Sequence, residues 1–281
     1  MTQRAAVIGM GLIGGSIAGA LRAAGYSVTG FDSSPARSEI ALKRELIDER
    51  AGELSGLLAG ADLVILAVPV RAIVQLLPMV DALAPSEALL IDTGSVKGTV
   101  VGAMEMLPGA QRAVGGHPLA GDERSGTEAA NRTLFHDRTF VLCPSKASSR
   151  DAIQRAETMA GEIGALPLVT PADRHDRVLA RTSHLPQFLA TTLALGIEPD
   201  DRELSGPALR DMTRLAGSES SMWRDIAVAN RLHIREAIRA FQDRLDVLSQ
   251  AIDATDMARI EDILERGAIS AGVLSSAEAS R

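Results

Sequence analysis

The sequence predicts an α/β domain with a parallel sheet, followed by an all-α domain. In the first half of the chain, short apolar runs alternate with segments of helical periodicity, which is typical of a parallel sheet covered by helices on both faces. After about Pro171 the strand patterns end, and long segments with helical periodicity follow. We therefore expect one domain over residues 1–170 and a second, helical domain over residues 171–281.

The strands expected in the first domain are short, often β-branched, and bounded by Gly, Pro or Asp. They cover Ala5–Ile8, Ser27–Phe31, Asp62–Val68, Ala88–Ile91, Thr139–Leu142 and Leu166–Val169. The helices expected between and after them lie near residues 14–24, 36–46, 70–83, 96–107 and 149–163.

The second half of the chain predicts a helical bundle, with helices over 172–195, 201–216, 219–229 and 231–253. In the last of these, five apolar residues recur at helical spacing, namely Leu232, Ile238, Phe241, Leu245 and Leu248. Such a stripe is typical of a bundle core, and a wide stripe can be shared with a second subunit. We therefore expect a homodimer through the helical domain. The Ala-, Ser- and Gly-rich stretch 268–281 is expected to be frayed or disordered.

The composition argues against two classes of protein. The 281 residues carry a formal net charge of -7, whereas a general nucleic-acid binder needs a basic face. Residues 5–21 are uncharged, but repeated glycines interrupt them as they rarely interrupt a membrane span. The single cysteine, Cys143, excludes an intramolecular disulfide and fits a reducing compartment. We expect a cytoplasmic protein without a membrane or nucleic-acid partner.

A glycine-rich turn at residues 9–14 predicts a Rossmann-type dinucleotide-binding domain. The turn matches G-x-G-x-x-G, follows an expected strand and opens an expected helix; its residues are Gly9, Met10, Gly11, Leu12, Ile13 and Gly14. The first glycine permits the tight turn, the second lets the backbone approach the pyrophosphate, and the third lets the helix pack on the strand. The N-terminus of the helix then offers N–H groups to the phosphates.

The residue that ends the second strand bears on the choice of cofactor. Asp32 lies where an acid can bind the ribose 2′-hydroxyl, and it would repel a 2′-phosphate, so we expect NAD over NADP. Ser33, Ser34 and Arg37 keep NADP possible, because an arginine nearby can hold that phosphate.

Two further strand ends are expected at the carboxyl edge of the sheet, where ligands bind in open α/β sheets. The residues there that we expect to contact the cofactor are Val68, Pro69, Thr93 and Ser95. Ser95 has two interpretations, since its hydroxyl can also cap the following helix.

The segment Gly115–Gly121 predicts a catalytic histidine. Its glycines and Pro118 indicate a loop at the carboxyl edge of the sheet, which places His117 beside the expected nicotinamide. An imidazole is the side chain most easily poised for proton transfer near neutral pH. The alternative is a turn histidine that only forms local hydrogen bonds.

With these residues the sequence resembles the prephenate and arogenate dehydrogenases, also called cyclohexadienyl dehydrogenases, of tyrosine biosynthesis. The resemblance spans about residues 5–250 and rests on Gly9–Gly14, Asp92–Gly98, Gly115–Gly121 with Ser125-Gly126, Ser183–Pro186, Asp211–Arg214 and Met222–Asp225. It implies NAD(P)-dependent oxidative decarboxylation of a dianionic cyclohexadienol: prephenate to 4-hydroxyphenylpyruvate, arogenate to tyrosine, or both. Hydride leaves C4 for the nicotinamide, a base takes the hydroxyl proton, and carbon dioxide leaves as the ring becomes aromatic. No metal is needed.

The resemblance also implies roles for residues. His117 is the base, or the hydrogen-bond acceptor, for the C4 hydroxyl, and Ser95 orients both His117 and the substrate. Arg214 is the clamp for the ring carboxylate, a role that suits a planar bidentate donor. Asp211, one turn earlier, either orients Arg214 or forms only a surface ion pair with it.

Other residues of the resemblance are left with two interpretations. Trp223 either lines the substrate pocket or packs in the core, and His184 either faces the cleft or is a satisfied interdomain histidine. Glu123 is a weaker candidate for gating or substrate recognition. Gln187 stands where family members that use prephenate often have a histidine, which leaves open the preference between prephenate and arogenate. The remaining histidines are expected to be solvated or structural: His136, His175 and His233.

Two other functions compete with this one. The first is a β-hydroxyacid or imine reductase of similar two-domain build, which would not need the pair of Ser95 and His117. The second is a non-catalytic NAD-sensing binding module, which the fold alone does not exclude. A sensor has no need of a base, a serine and an arginine together, so we favour the enzyme.

Overall fold

The computed structural model describes residues 2–121 and 124–279. The strands form one sheet in the order β3-β2-β1-β4-β5-β6-β7-β8. They are β1 Arg4–Ile8, β2 Ser27–Phe31, β3 Glu49–Arg50, β4 Leu63–Leu66, β5 Leu89–Asp92, β6 Ala113–Pro118, β7 Thr139–Pro144 and β8 Leu166–Val169. The short strand β3 was not expected from the sequence.

The first half of the chain alternates strands with helices, as expected, and the second half is helical. The helices are α1 Leu12–Ala23, α2 Pro35–Lys43, α3 Leu54–Leu58, α4 Val70–Leu83, α5 Gly98–Glu105, α6 Arg150–Glu162, α7 Ala172–Leu179, α8 Leu185–Leu195, α9 Pro207–Thr213, α10 Ser220–Ala229, α11 Arg231–Asp253 and α12 Met257–Ala279. Among the described helices, none has the length and apolarity needed to cross a bilayer.

The sheet is mostly, but not wholly, parallel. Strands β1 to β6 pair in parallel, whereas β7 is antiparallel to β6 and β8 is parallel to β7. The expectation of a parallel sheet is therefore wrong for the last two strands. Parallel neighbours need a crossover, usually a helix, while antiparallel ones do not. The described part of the connection from β6 to β7 contains one short 3-10 turn, Thr127–Ala129, and no crossover helix.

The core of the first half lies on both faces of the sheet. Every residue of β4 and β5 is buried, as expected for central strands covered by helices on both sides. The core side chains are mainly Ala, Val, Leu, Ile and Met. Burying each large aliphatic side chain contributes about 1.5–3 kcal/mol to the stability of the folded chain. The well-packed sheet is therefore a rigid support for the polar groups at its carboxyl edge.

His117 lies near the end of strand β6, so the expectation that it stands in a loop is wrong. It pairs with Val141 of β7. The glycines before it serve close packing instead of a turn. A Cβ atom at Gly116 would meet the carbonyl oxygen of Asp92, so only glycine lets β6 run this close to the end of β5.

The expected helix over 172–195 is interrupted in its middle. Helix α7 ends at Leu179, a π-helical turn covers Ala180–His184, and α8 then begins. Pro186 explains the interruption, because its ring has no N–H to continue the hydrogen-bond ladder. Such π-turns are frequent at functional sites.

By its internal contacts the chain divides into two compact units, residues 1–231 and 232–281. The second unit consists of most of α11 and of α12. Because α12 continues to Ala279, the expectation of a frayed or disordered stretch is wrong over residues 268–279. The alanines of this segment favour a helix, since alanine has the highest helix propensity.

Candidate active site

The glycine turn between β1 and α1 has the geometry of a phosphate cradle. Gly9 has a φ of +96°, a conformation that favours glycine, and its N–H donates to the Phe31 carbonyl at 2.7 Å. A Cβ atom at Gly11 would meet open space, so the backbone there can be approached closely. Helix α1 begins at Leu12, and its first N–H groups have no partner within the helix. These residues fit a pyrophosphate.

Asp32 joins this turn to the end of β2. Its carboxylate is buried and accepts hydrogen bonds from the backbone N–H groups of Met10 and Ser34, each at 2.8 Å. The guanidinium of Arg37 lies 3.9 Å from the same carboxylate and is half-exposed. Each carboxylate oxygen has a second lone pair, so Asp32 can still accept a ribose hydroxyl.

The other expected cofactor residues follow β4 and β5. Val68 and Pro69 lie between β4 and α4, and Thr93 follows β5, its N–H donating to the Leu66 carbonyl at 3.1 Å. Ser33 is exposed, whereas the Met10 side chain is fully buried, so Met10 can offer only its backbone. Leu12 and Ile13 are partly buried in the first turn of α1, and Gly14 is buried.

His117 is joined to a second histidine. Its Nδ1 lies 2.8 Å from Nε2 of His175, and the two rings meet edge to face at 68°. Nδ1 of His175 lies 2.8 Å from a carboxylate oxygen of Asp176. His175 is only 2% exposed, so of the two expected states, solvated or structural, the solvated one is excluded. The adjacent His175 and Asp176, near the start of an expected helix, are the sequence signal that could have indicated a functional histidine here.

Asp176 also caps helix α5. Its two carboxylate oxygens accept from the backbone N–H groups of Lys97 and Gly98, both at 2.7 Å. A carboxylate at this position satisfies two otherwise unpaired donors and interacts favourably with the helix dipole. Because Lys97 occupies the N-cap position, the alternative that Ser95 caps this helix is wrong. Ser95 is partly buried, and within the described part of the chain it makes no hydrogen bond to His117.

The surroundings of His117 keep its imidazole neutral. Burial of the ring lowers its pKa well below the usual value, and repulsion from the protonated forms of His175, Lys97 and His184 lowers it further. Burial alone would raise the pKa of Asp176, but the hydrogen bonds from His175, Lys97 and Gly98 outweigh it, so this pKa is lowered. A neutral imidazole therefore stands at one end of the chain of contacts and a carboxylate at the other.

A buried lysine holds the backbone next to His117. Lys97 is 0% exposed, and its ammonium donates to the Asp92 carboxylate and, at 2.6 Å, to the Gly116 carbonyl. Asp92 also accepts from the N–H of Gly116 at 3.0 Å. Both charged residues lie in the Asp92–Gly98 motif, but the resemblance implies no role for either of them. A lysine in the first turn of an expected helix gives no local sign that it is buried.

The second histidine of the resemblance, His184, is also buried. Its Nδ1 lies 3.2 Å from the side-chain nitrogen of Asn230, which also donates to the backbone carbonyl of Asp176 at 2.8 Å. Burial lowers the pKa of His184 to about 4. Trp223 packs edge to face against His184 and Phe188, with ring centroids 6.0 Å apart in each pair. Its indole Nε1 is buried without a hydrogen-bond partner among the described residues.

Gln187 supports the turn that carries Arg214. Gln187 is buried, and its amide donates to the Leu215 carbonyl at 2.8 Å. Arg214 begins the short 3-10 helix that also contains Leu215, and both Arg214 and Asp211 are exposed. Glu123 lies outside the described residues.

Comparison with known proteins assigns the whole arrangement to one family. Residues 17–168 match the family model described as prephenate dehydrogenase, nucleotide-binding domain, and residues 171–266 match that of the prephenate dehydrogenase dimerization domain. The chain is 33% identical to the prephenate dehydrogenase of Bacillus subtilis over 261 residues, which cover 88% of this chain and 70% of the relative. It is 34% identical to the cyclohexadienyl dehydrogenase of Zymomonas mobilis, with 89% of each chain covered.

A solved structure supports the same assignment. The prephenate dehydrogenase of A. aeolicus in complex with hydroxyphenyl propionate and NAD+ superposes with a TM-score of 0.91 and 29% identity, covering 98% of this chain and 99% of that one. The two family models together span most of the sequence, on both sides of the boundary between sheet and helices. The chain therefore belongs to the prephenate dehydrogenase family.

Proposed function

We propose that this chain oxidises and decarboxylates prephenate, arogenate or both, with NAD+ as the hydride acceptor. The observation that carries the proposal is the neutral imidazole of His117, fixed at the carboxyl edge of a nucleotide-binding sheet. The NAD+ and hydroxyphenyl propionate bound to the A. aeolicus relative support both the cofactor and a ring-bearing substrate.

Residues of the first half would hold the cofactor. The glycine turn and the N-terminus of α1 fit the pyrophosphate, and Asp32 fits a ribose hydroxyl and disfavours a 2′-phosphate. Arg37, close to Asp32, leaves use of NADP+ possible. When bound, the cofactor supplies the nicotinamide ring that accepts hydride. Val68, Pro69 and the Thr93–Ser95 segment remain proposed contacts at the same edge.

His117 acts on the substrate as the base for the C4 hydroxyl. A neutral, partly buried imidazole can take that proton as hydride leaves C4, and the resulting dienone then loses carbon dioxide. The surrounding core limits access of water, which strengthens the electrostatic interactions in the site. Ser95 remains a proposed partner of the hydroxyl.

The dianionic substrate requires a cation, and we assign that role to Arg214. Its guanidinium can hold the ring carboxylate through two parallel hydrogen bonds. Gln187 acts indirectly, because it fixes the backbone of the turn to which Arg214 belongs. Asp211, Trp223, His184 and Glu123 remain proposed substrate-site residues. The buried indole N–H of Trp223, which has no hydrogen-bond partner in the described part of the chain, would donate to a polar group of the substrate.

The proposed assembly is a homodimer. In each chain we place the boundary between the nucleotide-binding domain and the helical domain between residues 170 and 171, and the two copies associate through the helical domain. The family description of residues 171–266 as a dimerization domain supports it. So do the large apolar side chains that α11 and α12 leave exposed, which are Leu245, Ile252, Leu264 and Ile269. A cytoplasmic location remains the prediction drawn from the single cysteine.

One assay tests the proposed function and also decides between the two substrates and between the two cofactors. Initial rates are measured with prephenate and with arogenate, each against NAD+ and NADP+. We expect turnover of at least one substrate, faster with NAD+. Tight NAD+ binding without turnover of either substrate would instead favour the sensing module.

A further inference from the structure

We infer that His175 and Asp176 are positioning residues that fix the tautomer of His117, so that its Nε2 carries the lone pair that faces the substrate. This inference rests on the proposed function, because it takes His117 as the base. It adds two residues to the site and specifies the nitrogen that reacts.

The tautomers follow by elimination along the three side chains. An ionised Asp176 can only accept, so Nδ1 of His175, 2.8 Å away, must carry a proton. When His175 carries only this proton, its Nε2 has a lone pair. Nδ1 of His117, 2.8 Å from that nitrogen, must therefore be the donor. The remaining nitrogen of His117, Nε2, is left unprotonated and able to accept.

The far end of this chain of contacts is rigid. The carboxylate of Asp176 accepts from two backbone N–H groups at 2.7 Å, and its backbone carbonyl accepts from Asn230 at 2.8 Å. His175 is buried with both ring nitrogens engaged. Neither residue can rotate without breaking these contacts, so the direction of the hydrogen bonds is set by the fold.

The charges around His117 fit this role. The groups that face it are Lys97 with its partner Asp92, His175 with Asp176, and His184. The buried pair of Lys97 and Asp92 has no net charge, which leaves the Asp176 carboxylate as the uncompensated anion of this group. It can stabilise the cation that forms on His117 during turnover.

No proton has to move beyond His117, and the proton that it takes returns to the product. The substrate O–H bond breaks, its proton binds Nε2 of His117, and the electron pair forms the C4 carbonyl as hydride leaves C4 for the oxidised nicotinamide. The new imidazolium donates from Nδ1 to His175, and His175 continues to donate to Asp176. Asp176 stabilises the charge without itself being protonated. When carbon dioxide leaves the dienone, the electron pair of the broken C–C bond makes the ring aromatic, and the phenolate oxygen formed at C4 takes the proton back from Nε2 of His117.

The tautomer can be read directly from ¹⁵N NMR of the imidazoles in the full-length protein, without turnover. The chain has five histidines, and His117→Asn identifies the His117 signals by their loss. We expect Nδ1 of His117 to be protonated and Nε2 to be unprotonated near neutral pH. In Asp176→Asn, the amide can donate to His175, which would reverse both hydrogen bonds and protonate Nε2 of His117.

The kinetic test compares the same substitution at two positions on helix α7. Asp176→Asn should lower kcat on the order of 10²- to 10⁴-fold, as expected when a base is held in the wrong tautomer, with KM and NAD+ affinity little changed. Asp173→Asn is the matched control, because Asp173 is exposed and pairs with Arg177 on the surface. It should leave kcat unchanged.

A second pair of variants covers the case in which Asp176→Asn does not fold, since Asp176 also caps α5. His175→Gln keeps an oxygen that can accept from Nδ1 of His117, whereas His175→Phe does not. We expect the glutamine variant to retain clearly more kcat than the phenylalanine variant.

The outcomes separate this inference from the proposed function. A protonated Nε2 on His117 in the unmodified protein, or full kcat in both Asp176→Asn and His175→Phe, would overturn the inference while the enzyme remains a dehydrogenase. Absence of turnover in the unmodified protein would overturn the proposed function. The protonation of the two ring nitrogens of His117, measured by NMR, would still test whether His175 and Asp176 fix its tautomer.

Discussion

Lys97 and Asp92 form an ion pair that is entirely buried and holds the strand that carries His117. Both side chains are 0% exposed. The lysine ammonium also donates to the Gly116 carbonyl at 2.6 Å, and the aspartate accepts from the Gly116 N–H at 3.0 Å. The pair therefore fixes both backbone polar groups of the residue before His117. The ion pair thus positions His117 through the backbone of the preceding residue, whereas His175 positions it through a contact with the imidazole ring.

Lys97→Met should be strongly destabilising. The substitution leaves the Asp92 carboxylate buried without its cation, and breaking a buried pair in this way costs about 3–5 kcal/mol. Urea unfolding measures the loss. Lys43→Met is the matched control, because Lys43 is exposed and pairs with Glu39 on the surface, and it should change the free energy of unfolding by less than about 1 kcal/mol. Equal effects of the two substitutions would contradict a special role for the buried pair.

His117→Asn should abolish turnover while the protein still binds NAD+. General base catalysis contributes about 10²- to 10⁴-fold, and the amide of asparagine is too weak a base to replace the imidazole. Initial rates and an NAD+ titration by fluorescence measure the two effects separately. His136→Asn, at an exposed histidine, is the control and should retain full activity. Retained activity in His117→Asn would remove the proposed base.

The parts of this site that could be predicted from the sequence are those formed by residues close together in the chain. The glycine turn lies within six consecutive residues, between a strand and a helix that were both expected. The contact between His117 and His175 spans 58 residues, and that between Lys97 and Asp176 spans 79, so no periodicity or spacing could indicate them. The glycines before His117 suggested a loop, because close packing of strands and a tight turn select the same residue.

Arg214→Ala should raise KM for the substrate with a smaller effect on kcat. A carboxylate contact is made in both the ground state and the transition state, so its loss weakens binding more than chemistry. A charge-assisted hydrogen bond contributes about 1.5–3 kcal/mol, which corresponds to about 10- to 160-fold in KM. Arg210→Ala, one turn earlier and also exposed, is the control and should leave KM unchanged. An unchanged KM in Arg214→Ala would count against the clamp.

Protonation of His184 should make the protein less stable in mild acid. Burial lowers the pKa of His184 to about 4 in the folded protein, whereas an unfolded histidine has its ordinary value near 6.5. Below about pH 6.5 the unfolded chain therefore binds a proton that the folded chain does not, and stability falls as the pH falls toward 4. His184 alone should contribute a loss of about 2 kcal/mol between about pH 7.5 and pH 5. His117, whose pKa is also lowered, adds a loss of the same sign.

Urea unfolding at these two pH values isolates the His184 contribution when the unmodified protein is compared with His184→Asn. The asparagine side chain cannot titrate in this range but keeps a polar group near Asn230, so the variant should lose less stability on acidification. His136→Asn, which removes an exposed histidine, should lose as much stability as the unmodified protein. The same loss in all three proteins would show that His184 binds its proton as readily in the folded chain as in the unfolded one, which a side chain only 1% exposed should not do.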